Sequence, residues 1–147
     1  MDTGVFGTLA IVLVLVGVLA WGRAASRRSA LARVTVQGAA VVVEPLGIMK
    51  VLALASRIVV PIDHVLAAEC VLRPQDDERP GLRLPGTSMP GLLAGTFVGP
   101  EGRSFWLVGL GETAVRLDLD DEIYSYLVLD VADPRATMRE IYRADRP

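Results

Sequence analysis

The chain has 147 residues, 52% of them hydrophobic and 22% charged, and its formal net charge is −2. This length accommodates one ordinary domain and a short additional segment. The slight negative charge excludes the strongly basic surface typical of nucleic-acid-binding proteins, so no nucleic-acid partner is predicted. The single cysteine, Cys70, excludes a disulfide within the chain and fits a reducing compartment.

The chain begins with an apolar segment, since positions 3–22 carry no ionisable side chain and are apolar on every side of a helix. A helix of this length, at about 1.5 Å per residue, spans the roughly 30 Å hydrocarbon core of a bilayer. Residues 1–22 are therefore predicted to form a transmembrane helix. Two alternatives stay open. A cleaved secretory signal is disfavoured by Asp2 before the apolar core and Trp21 after it, and a buried helix of a soluble core would show one apolar stripe.

A basic collar, residues 23–33, follows the apolar segment. The residues predicted to set membrane orientation are Trp21, Arg23, Arg27, Arg28 and Arg33. Because basic residues are retained on the cytoplasmic side, they predict a single-pass protein of the inner membrane with its N-terminus outside and residues 34–147 in the cytoplasm. Residues 34–147 hold 11 basic against 16 acidic residues. We therefore expect the collar to set orientation and not to form a specific lipid site.

From Val34 onward the hydrophobic period changes to that of strands. Strand character is predicted at 34–36, 41–43, 46–54, 58–62, 66–72, 92–98, 105–108, 115–119 and 124–131. Alternation from Leu66 to Leu72 predicts that Cys70 faces inward. Between these strands, residues 73–91 are rich in charge, proline and glycine and are predicted to be a long break.

A C-terminal helix is predicted from Asp133, a side-chain N-cap, and Pro134 at the first helical position. Met138, Ile141 and Tyr142 then fall on one helix face. Seven or eight short strands with one terminal helix predict a curved antiparallel sheet, a barrel or sandwich whose open end the helix covers. The fold class predicted is therefore mainly β, preceded by one transmembrane helix.

Four segments, in this order, resemble bacterial pleckstrin-homology-like (PH-like) domains. They are residues 57–65 (RIVVPIDHV), residues 83–91 (RLPGTSMPG), residues 94–97 (AGTF) and the pair Phe105-Trp106. The likeness covers residues 34–141 and is greatest to the membrane-tethered kind found in actinobacteria. It implies a sheet of about seven strands capped by a helix. It also implies a binding or assembly module, in some relatives assembled into homo-oligomers, and not an enzyme.

Lipid-binding PH domains use several Lys and Arg in the first hairpin to bind phosphoinositide headgroups, which need several charge-assisted hydrogen bonds. In this chain the corresponding stretch offers Lys50 and Arg57 against Glu44. Specific phosphoinositide binding is therefore disfavoured, and Lys50 is predicted to be a solvated strand residue.

The sequence predicts no catalytic residue, no cofactor and no metal ion. His64 is the only histidine, and along one extended strand it would lie about 20 Å from Cys70, too far for a catalytic pair. His64 is therefore predicted to be a turn or partner-facing residue. An enzyme is the third hypothesis, and loss of a measurable turnover on changing His64, Cys70 and Asp118 together to alanine would revive it.

Two further motifs are similar in part to known binding loops. Gly109, Gly111 and Ala114 match the glycine pattern of a dinucleotide loop, but strand alternation follows where that loop needs a helix. A hairpin turn with positive φ at the glycines is predicted instead. The acidic run is Asp118, Asp120, Asp121 and Glu122. It lacks the central glycine of a calcium loop, so a solvated turn is predicted.

The break at residues 73–91 is long for a connection in a small domain, and long ordered loops are often functional. A recognition segment and a passive crossover both stay open. The candidate interaction surface comprises Arg83, Pro85, Gly86, Pro90, Gly91 and Trp106. Alternation buries one of Phe105 and Trp106 and exposes the other, and an exposed Trp106 would be an anchor for a partner.

The sequence thus predicts a membrane-anchored, non-enzymatic binding or assembly module. Its cytoplasmic PH-like domain would associate with a protein partner or with further copies of itself near the inner membrane. The alternative is a sensor of anionic lipid surfaces, in which Trp21 and the basic collar contact the headgroups together with the domain.

Overall fold

The computed structural model describes residues 30–73, 81–89, 91–109 and 111–145. The predicted transmembrane helix 1–22 and residues 23–29 of the collar, with Trp21, Arg23, Arg27 and Arg28, lie outside these ranges. Within them, no helix combines the length and the apolar character needed to cross a membrane.

The described residues form nine strands, two α-helices and one 3-10 turn. The strands are β1 (Ala32–Gln37), β2 (Ala40–Pro45), β3 (Ile58–Pro61), β4 (Val65–Leu72), β5 (Leu82–Met89), β6 (Leu92–Gly99), β7 (Gly102–Val108), β8 (Thr113–Leu119) and β9 (Tyr126–Leu129). The helices are α1 (Met49–Leu52), a 3-10 turn (Ile62–His64) and α2 (Pro134–Ala144). Because β1 begins at Ala32, Arg33 of the predicted collar is a strand residue, opposite Glu44 of β2.

The strands form two sheets, and the prediction of a mainly β chain with a C-terminal helix is confirmed. One sheet has the order β1-β2-β3 and the other the order β4-β8-β9-β7-β6-β5. The described ranges contain nine strands, more than the seven or so expected. The expectation of wholly antiparallel pairing is wrong at one place, since β7 and β9 are parallel. Two chain reversals separate these strands, so they run in the same direction.

Both sheets and α2 contribute to one hydrophobic core. The three-stranded sheet supplies Val41, Val43 and Val60, and α2 supplies Ile141, all at most 2% exposed. The six-stranded sheet supplies Phe105, Leu107, Val115, Leu117, Leu127 and Leu129. These six residues share one face of their sheet. The two sheets and the helix therefore enclose a single apolar interior.

The segment 46–54, predicted as strand, is instead a turn followed by α1. Gly47 has φ of 54°, a conformation that glycine adopts without steric cost and that ends the extended chain after Pro45. The inward-facing residues that follow are Met49, Leu52 and Ala53, which pack against the core. Their i, i+3, i+4 spacing is the helical one, which explains why a strand period does not hold here. Lys50 is exposed as predicted, but on α1 and not on a strand.

Cys70 of strand β4 is opposite the core residue Val115, so it lies on the predicted face of the sheet, but it is exposed there and not buried. The register with β8 shifts between Val65 and Ala67, so the predicted alternation fails at Leu66 but continues through Ala68 and Cys70. Leu66 is 66% exposed and Leu72 is 80% exposed, whereas Ala68 is buried. β4 is also the terminal strand of its sheet, so its far half extends past the core.

The C-terminal helix is confirmed in position and in its capping. Asp133 Oδ1 accepts a hydrogen bond of 2.9 Å from the Ala136 N–H. Ile141 is 2% exposed, and Met138 packs against the core. Tyr142, on the same face, bonds the backbone of β4, so this helix face both fills the core and covers a sheet edge.

Candidate functional site

Strand β5 holds much of the predicted interaction surface. The break predicted at 73–91 contains this strand, and Arg83, Pro85 and Gly86 belong to it, while Gly91 lies in the turn to β6. Pro90 lies outside the described residues. β5 is the terminal strand of the six-stranded sheet as the structure describes it, and its pairing with β6 is irregular between Arg83 and Gly86. A terminal strand presents backbone groups along one edge, and this makes it a place where a partner can add.

The register brings two distant residues of the predicted surface into one row of the sheet. Gly86 of β5 is opposite Gly95 of β6, and Gly95 is in turn opposite Trp106 of β7. Residues directly opposite each other point to the same face. The row therefore places an indole beside two positions that carry no side chain.

Trp106 is nevertheless 5% exposed, and Phe105 is fully buried, so the prediction that one of the pair would be exposed is wrong. Phe105 faces the core, whereas Trp106 belongs to a second buried cluster, here called the outer cluster, on the opposite sheet face. Its members are Phe97, Trp106, Val108, Ala114, Tyr126 and Val128. Because the sheet is apolar on both faces at this point, alternation does not distinguish an inside from an outside.

Aromatic contacts and one hydrogen bond fix the Trp106 ring. Its centroid lies 6.3 Å from that of Phe97 and 6.1 Å from that of Tyr126, with edge-on geometry in both pairs. The indole Nε1–H donates a 2.9 Å hydrogen bond to Ser104 Oγ. With its polar edge satisfied and its ring enclosed, Trp106 is a structural residue in the described part of the chain, not an exposed anchor.

Arg116 lies against the outer cluster and binds two carboxylates. Its guanidinium carbon lies 4.1 Å from the centre of the Tyr126 ring. Nε donates to Asp118 Oδ1 and Nη2 donates to Glu101 Oε2, each at 2.8 Å. Burial alone would lower the pKa of Arg116, but the hydrogen bonds to Asp118 and Glu101 outweigh it and raise the pKa above its usual value. Asp118 is thus part of a structural ion pair.

An apolar patch is exposed on β5 and its neighbour. Leu82 is 82% exposed, and Val98, directly opposite on β6, is 40% exposed. Leu84 is 37% exposed. We call these three residues the β5 patch. Val98 lies two residues from Thr96, which is opposite the core residue Phe105, so the patch continues the core face of the sheet beyond the covered region.

His64 lies in the predicted turn and contacts the acidic run. Nδ1 lies 2.9 Å from Glu122 Oε1, and the Asp120 N–H donates to the His64 carbonyl at 2.9 Å. The hydrogen bond to Glu122 raises the pKa of His64, burial opposes this, and the nearby charges of Asp63 and Asp121 add to the rise. No three His, Cys, Asp or Glu side chains gather closely enough for a metal ion within the described ranges.

Asp130 is a buried acidic residue that the sequence did not single out. It is 3% exposed and follows β9. A Cβ placed on Gly111 would lie 3.1 Å from Asp130 Oδ2, and one on Gly109 would lie 3.4 Å from it. Gly109 does not have a positive φ, so the role predicted for it is wrong. Both glycines instead leave room for the carboxylate. The detectable signal was a single charge inside the apolar run from Tyr126 to Val131.

Comparison of the chain with protein-family models, with curated proteins and with solved structures finds no match. The ion pairs of Arg116 and His64 connect parts of the fold to each other. The side chains of the β5 patch are instead exposed on the surface.

Proposed function

We propose that this protein is a membrane-anchored, non-enzymatic binding or assembly module. Residues 1–22 would cross the inner membrane once, with the N-terminus outside, and residues 34–147 would form a cytoplasmic PH-like domain that associates with a protein partner or with further copies of itself. The anchoring rests on the length and apolarity of positions 3–22 and on the arginines that follow.

The PH-like assignment draws support from two sheets around one core and from the capped C-terminal helix at the edge of β4. The parallel pairing of β7 with β9 departs from the antiparallel sheet predicted from the strand pattern. Such folds host many functions, so the fold alone does not indicate a binding role. The support for that role comes from the surface.

The observation that carries the proposal is the exposed β5 patch on a terminal strand. Isolated apolar side chains on a surface are ordinary, but Leu82, Leu84 and Val98 lie together and continue the core face of the sheet. Apolar surface of this kind marks contact sites in soluble domains. Pro85 has no N–H to donate, so a partner strand could pair only with the first half of β5. We therefore place the contact at Leu82 to Leu84 and their neighbour Val98.

The test is crosslinking of the full-length protein in its native membrane, with two copies carrying different tags to detect self-association. The variant carries Leu82→Ser and Leu84→Ser, and the control carries Ile123→Ser, which changes another exposed apolar residue, 70% exposed, in the β8–β9 turn. We expect crosslinked products to disappear in the double variant and to persist in the control. Unchanged products in the double variant would refute the assigned surface.

Membrane orientation has a separate test. A reporter that is active only in the cytoplasm, fused after Pro147, is expected to be active. Replacing Arg23, Arg27, Arg28 and Arg33 with neutral residues is expected to lower that activity, because the orientation signal is removed. An inactive reporter on the unaltered, membrane-bound protein would contradict the proposed orientation.

A further inference from the structure

The segment between β2 and β3, residues 46–54, exposes three large apolar side chains. Ile48 is 68% exposed, Val51 71% and Leu54 68%. The residues between them, Met49 and Leu52, are turned to the core. We call residues 46–54 the apolar loop. It has a core face and an equally apolar outer face, whereas a surface helix in water has a polar outer face.

Backbone hydrogen bonds fix the conformation in which the apolar loop exposes these side chains. The Met49 N–H bonds to the Leu46 carbonyl at 3.0 Å, and the Ala53 N–H bonds to the Met49 carbonyl at 2.9 Å. The Leu54 N–H bonds to the Val51 carbonyl at 3.2 Å. Leu54 has φ of 52°, a left-handed conformation that a side chain disfavours and that the surrounding hydrogen bonds hold in place. The loop therefore presents its three outward side chains as a fixed group.

The apolar loop lies where the domain meets the N-terminal segment. The Leu46 N–H donates to the Leu31 carbonyl at 2.8 Å, and Ala32 is opposite Pro45 in the sheet. Only eight residue steps separate Gly22, the end of the apolar segment, from Ala30. At roughly 3.5 Å per step, these residues reach about 28 Å at full extension. A bilayer crossed by residues 1–22 is thus within reach of the loop.

The charges beside the apolar loop differ from those at the opposite end of the domain. Lys50 is exposed between Ile48 and Val51, and Arg33 is exposed on β1, where it lies opposite Glu44. The acidic turn, Asp120 to Glu122, precedes β9. At the other end of β9, the backbone carbonyl of Asp130 accepts hydrogen bonds from the Leu31 and Ala32 N–H groups. The acidic turn therefore lies at the end of β9 away from the N-terminal segment. Apolar side chains beside cations suit an anionic bilayer surface, and carboxylates do not.

We propose that the apolar loop inserts Ile48, Val51 and Leu54 into the headgroup region of the bilayer that residues 1–22 cross. This inference rests on the membrane anchoring proposed above. Insertion adds a second attachment point to the anchor, so the domain is held in one orientation with its acidic turn facing away from the lipid. The partner surface is then presented in a fixed direction and not by a freely rotating domain.

The experiment uses the full-length protein in vesicles of phosphatidylcholine and phosphatidylglycerol. Cys70 is exposed, so Cys70→Ser supplies a background without a reactive thiol. Val51→Cys receives an environment-sensitive fluorescent label, and Ile123→Cys receives the same label as the matched control at the acidic turn. Lipids brominated on their acyl chains then quench any label that enters the bilayer. Thermal unfolding by circular dichroism verifies that both labelled proteins fold.

We expect blue-shifted emission at position 51 and a roughly twofold loss of intensity with brominated lipid, against no change at position 123. Water-like, unquenched emission at position 51 in protein that floats with the vesicles would refute insertion and leave the anchoring intact. Blue-shifted emission without quenching would mean that protein covers the loop, and would also refute the inference. Protein that does not float would refute the anchoring itself, and the insertion with it.

Discussion

The imidazole Nδ1 of His64 and the carboxylate Oε1 of Glu122 lie 2.9 Å apart and join the turn before β4 to the turn between β8 and β9. This contact raises the pKa of His64 in the folded state. A raised pKa contributes stability that is fully present below the ordinary histidine value, about 6.5, and is lost as the pH rises through the folded-state value. We therefore expect the melting temperature to fall as the pH rises from about 6.5 through the raised folded-state pKa.

The matched variant for this pH dependence is Glu122→Gln, which keeps the shape of the side chain and removes its charge. We expect the fall in melting temperature across this window to shrink in the variant, since the protonated imidazole loses its ionised partner. An identical pH profile in both proteins would contradict a role for this pair. Asp63 and Asp121 also raise the pKa of His64, so a smaller residual dependence is expected.

Tyr142→Phe tests the covering of the β4 edge by α2. The Tyr142 O–H donates to the Ala68 carbonyl at 2.8 Å, and the Ala68 N–H donates to the Tyr142 oxygen at 3.3 Å. Losing the hydroxyl leaves these backbone groups of Ala68, which is buried, without that partner. We expect the free energy of unfolding to fall by about 1–3 kcal/mol in urea denaturation. Arg143→Ala, an exposed change on the same helix, should alter it by less than about 0.5 kcal/mol.

Trp106→Ala tests the assignment of Trp106 to the outer cluster. Removing this ring empties space beside Phe97 and Tyr126 and leaves Ser104 without its indole donor. We expect the free energy of unfolding to fall by about 3–5 kcal/mol. Leu82→Ala, at a position 82% exposed, should change it by less than about 0.5 kcal/mol. Denaturant titration measures the free energy of unfolding of both variants. Similar losses of this free energy in the two variants would contradict the different burial of Trp106 and Leu82.

Two glycines with positive φ should respond differently to alanine. Gly38, in the β1–β2 turn, has φ of 61° and open space where a Cβ would lie. Gly38→Ala should therefore cost only the left-handed conformation, about 1–2 kcal/mol. At Gly81, with φ of 109°, a Cβ would lie 2.2 Å from the Val98 carbonyl oxygen. Gly81→Ala should cost more, because the start of β5 must also move. Equal losses by urea denaturation would contradict this ranking.

Local patterns were sufficient to predict the C-terminal helix and most of the strands. The cap at Asp133 and the helical spacing of Met138 and Ile141 depend on neighbours within a few residues, so one sequence contains the whole signal. The same holds for strands β6 to β8, whose apolar runs are bounded by turns.

The candidate site was less predictable, because its burial depends on pairing between distant segments. Trp106 is covered by side chains of β6 and β9, and no pattern around position 106 shows that the sheet is apolar on both faces. The shift in β4 register at Val65 likewise depends on β8. At Met49 and Leu52, a continuous apolar run permitted either a strand or a helix, and tertiary packing decided between them.

Strand β9 lies between β8 and β7, although it is the last of the described strands in sequence order. During synthesis, the strands that will lie on its two sides emerge from the ribosome first, and they cannot be joined into one sheet until residues 126–129 follow. Asp130, immediately afterwards, also bonds the backbone at the start of β1. A chain cut off before Tyr126 would therefore lack both the middle of its sheet and the link to its first strand. The described sheet is therefore completed only once residues 126–130 have been translated, after every other described strand.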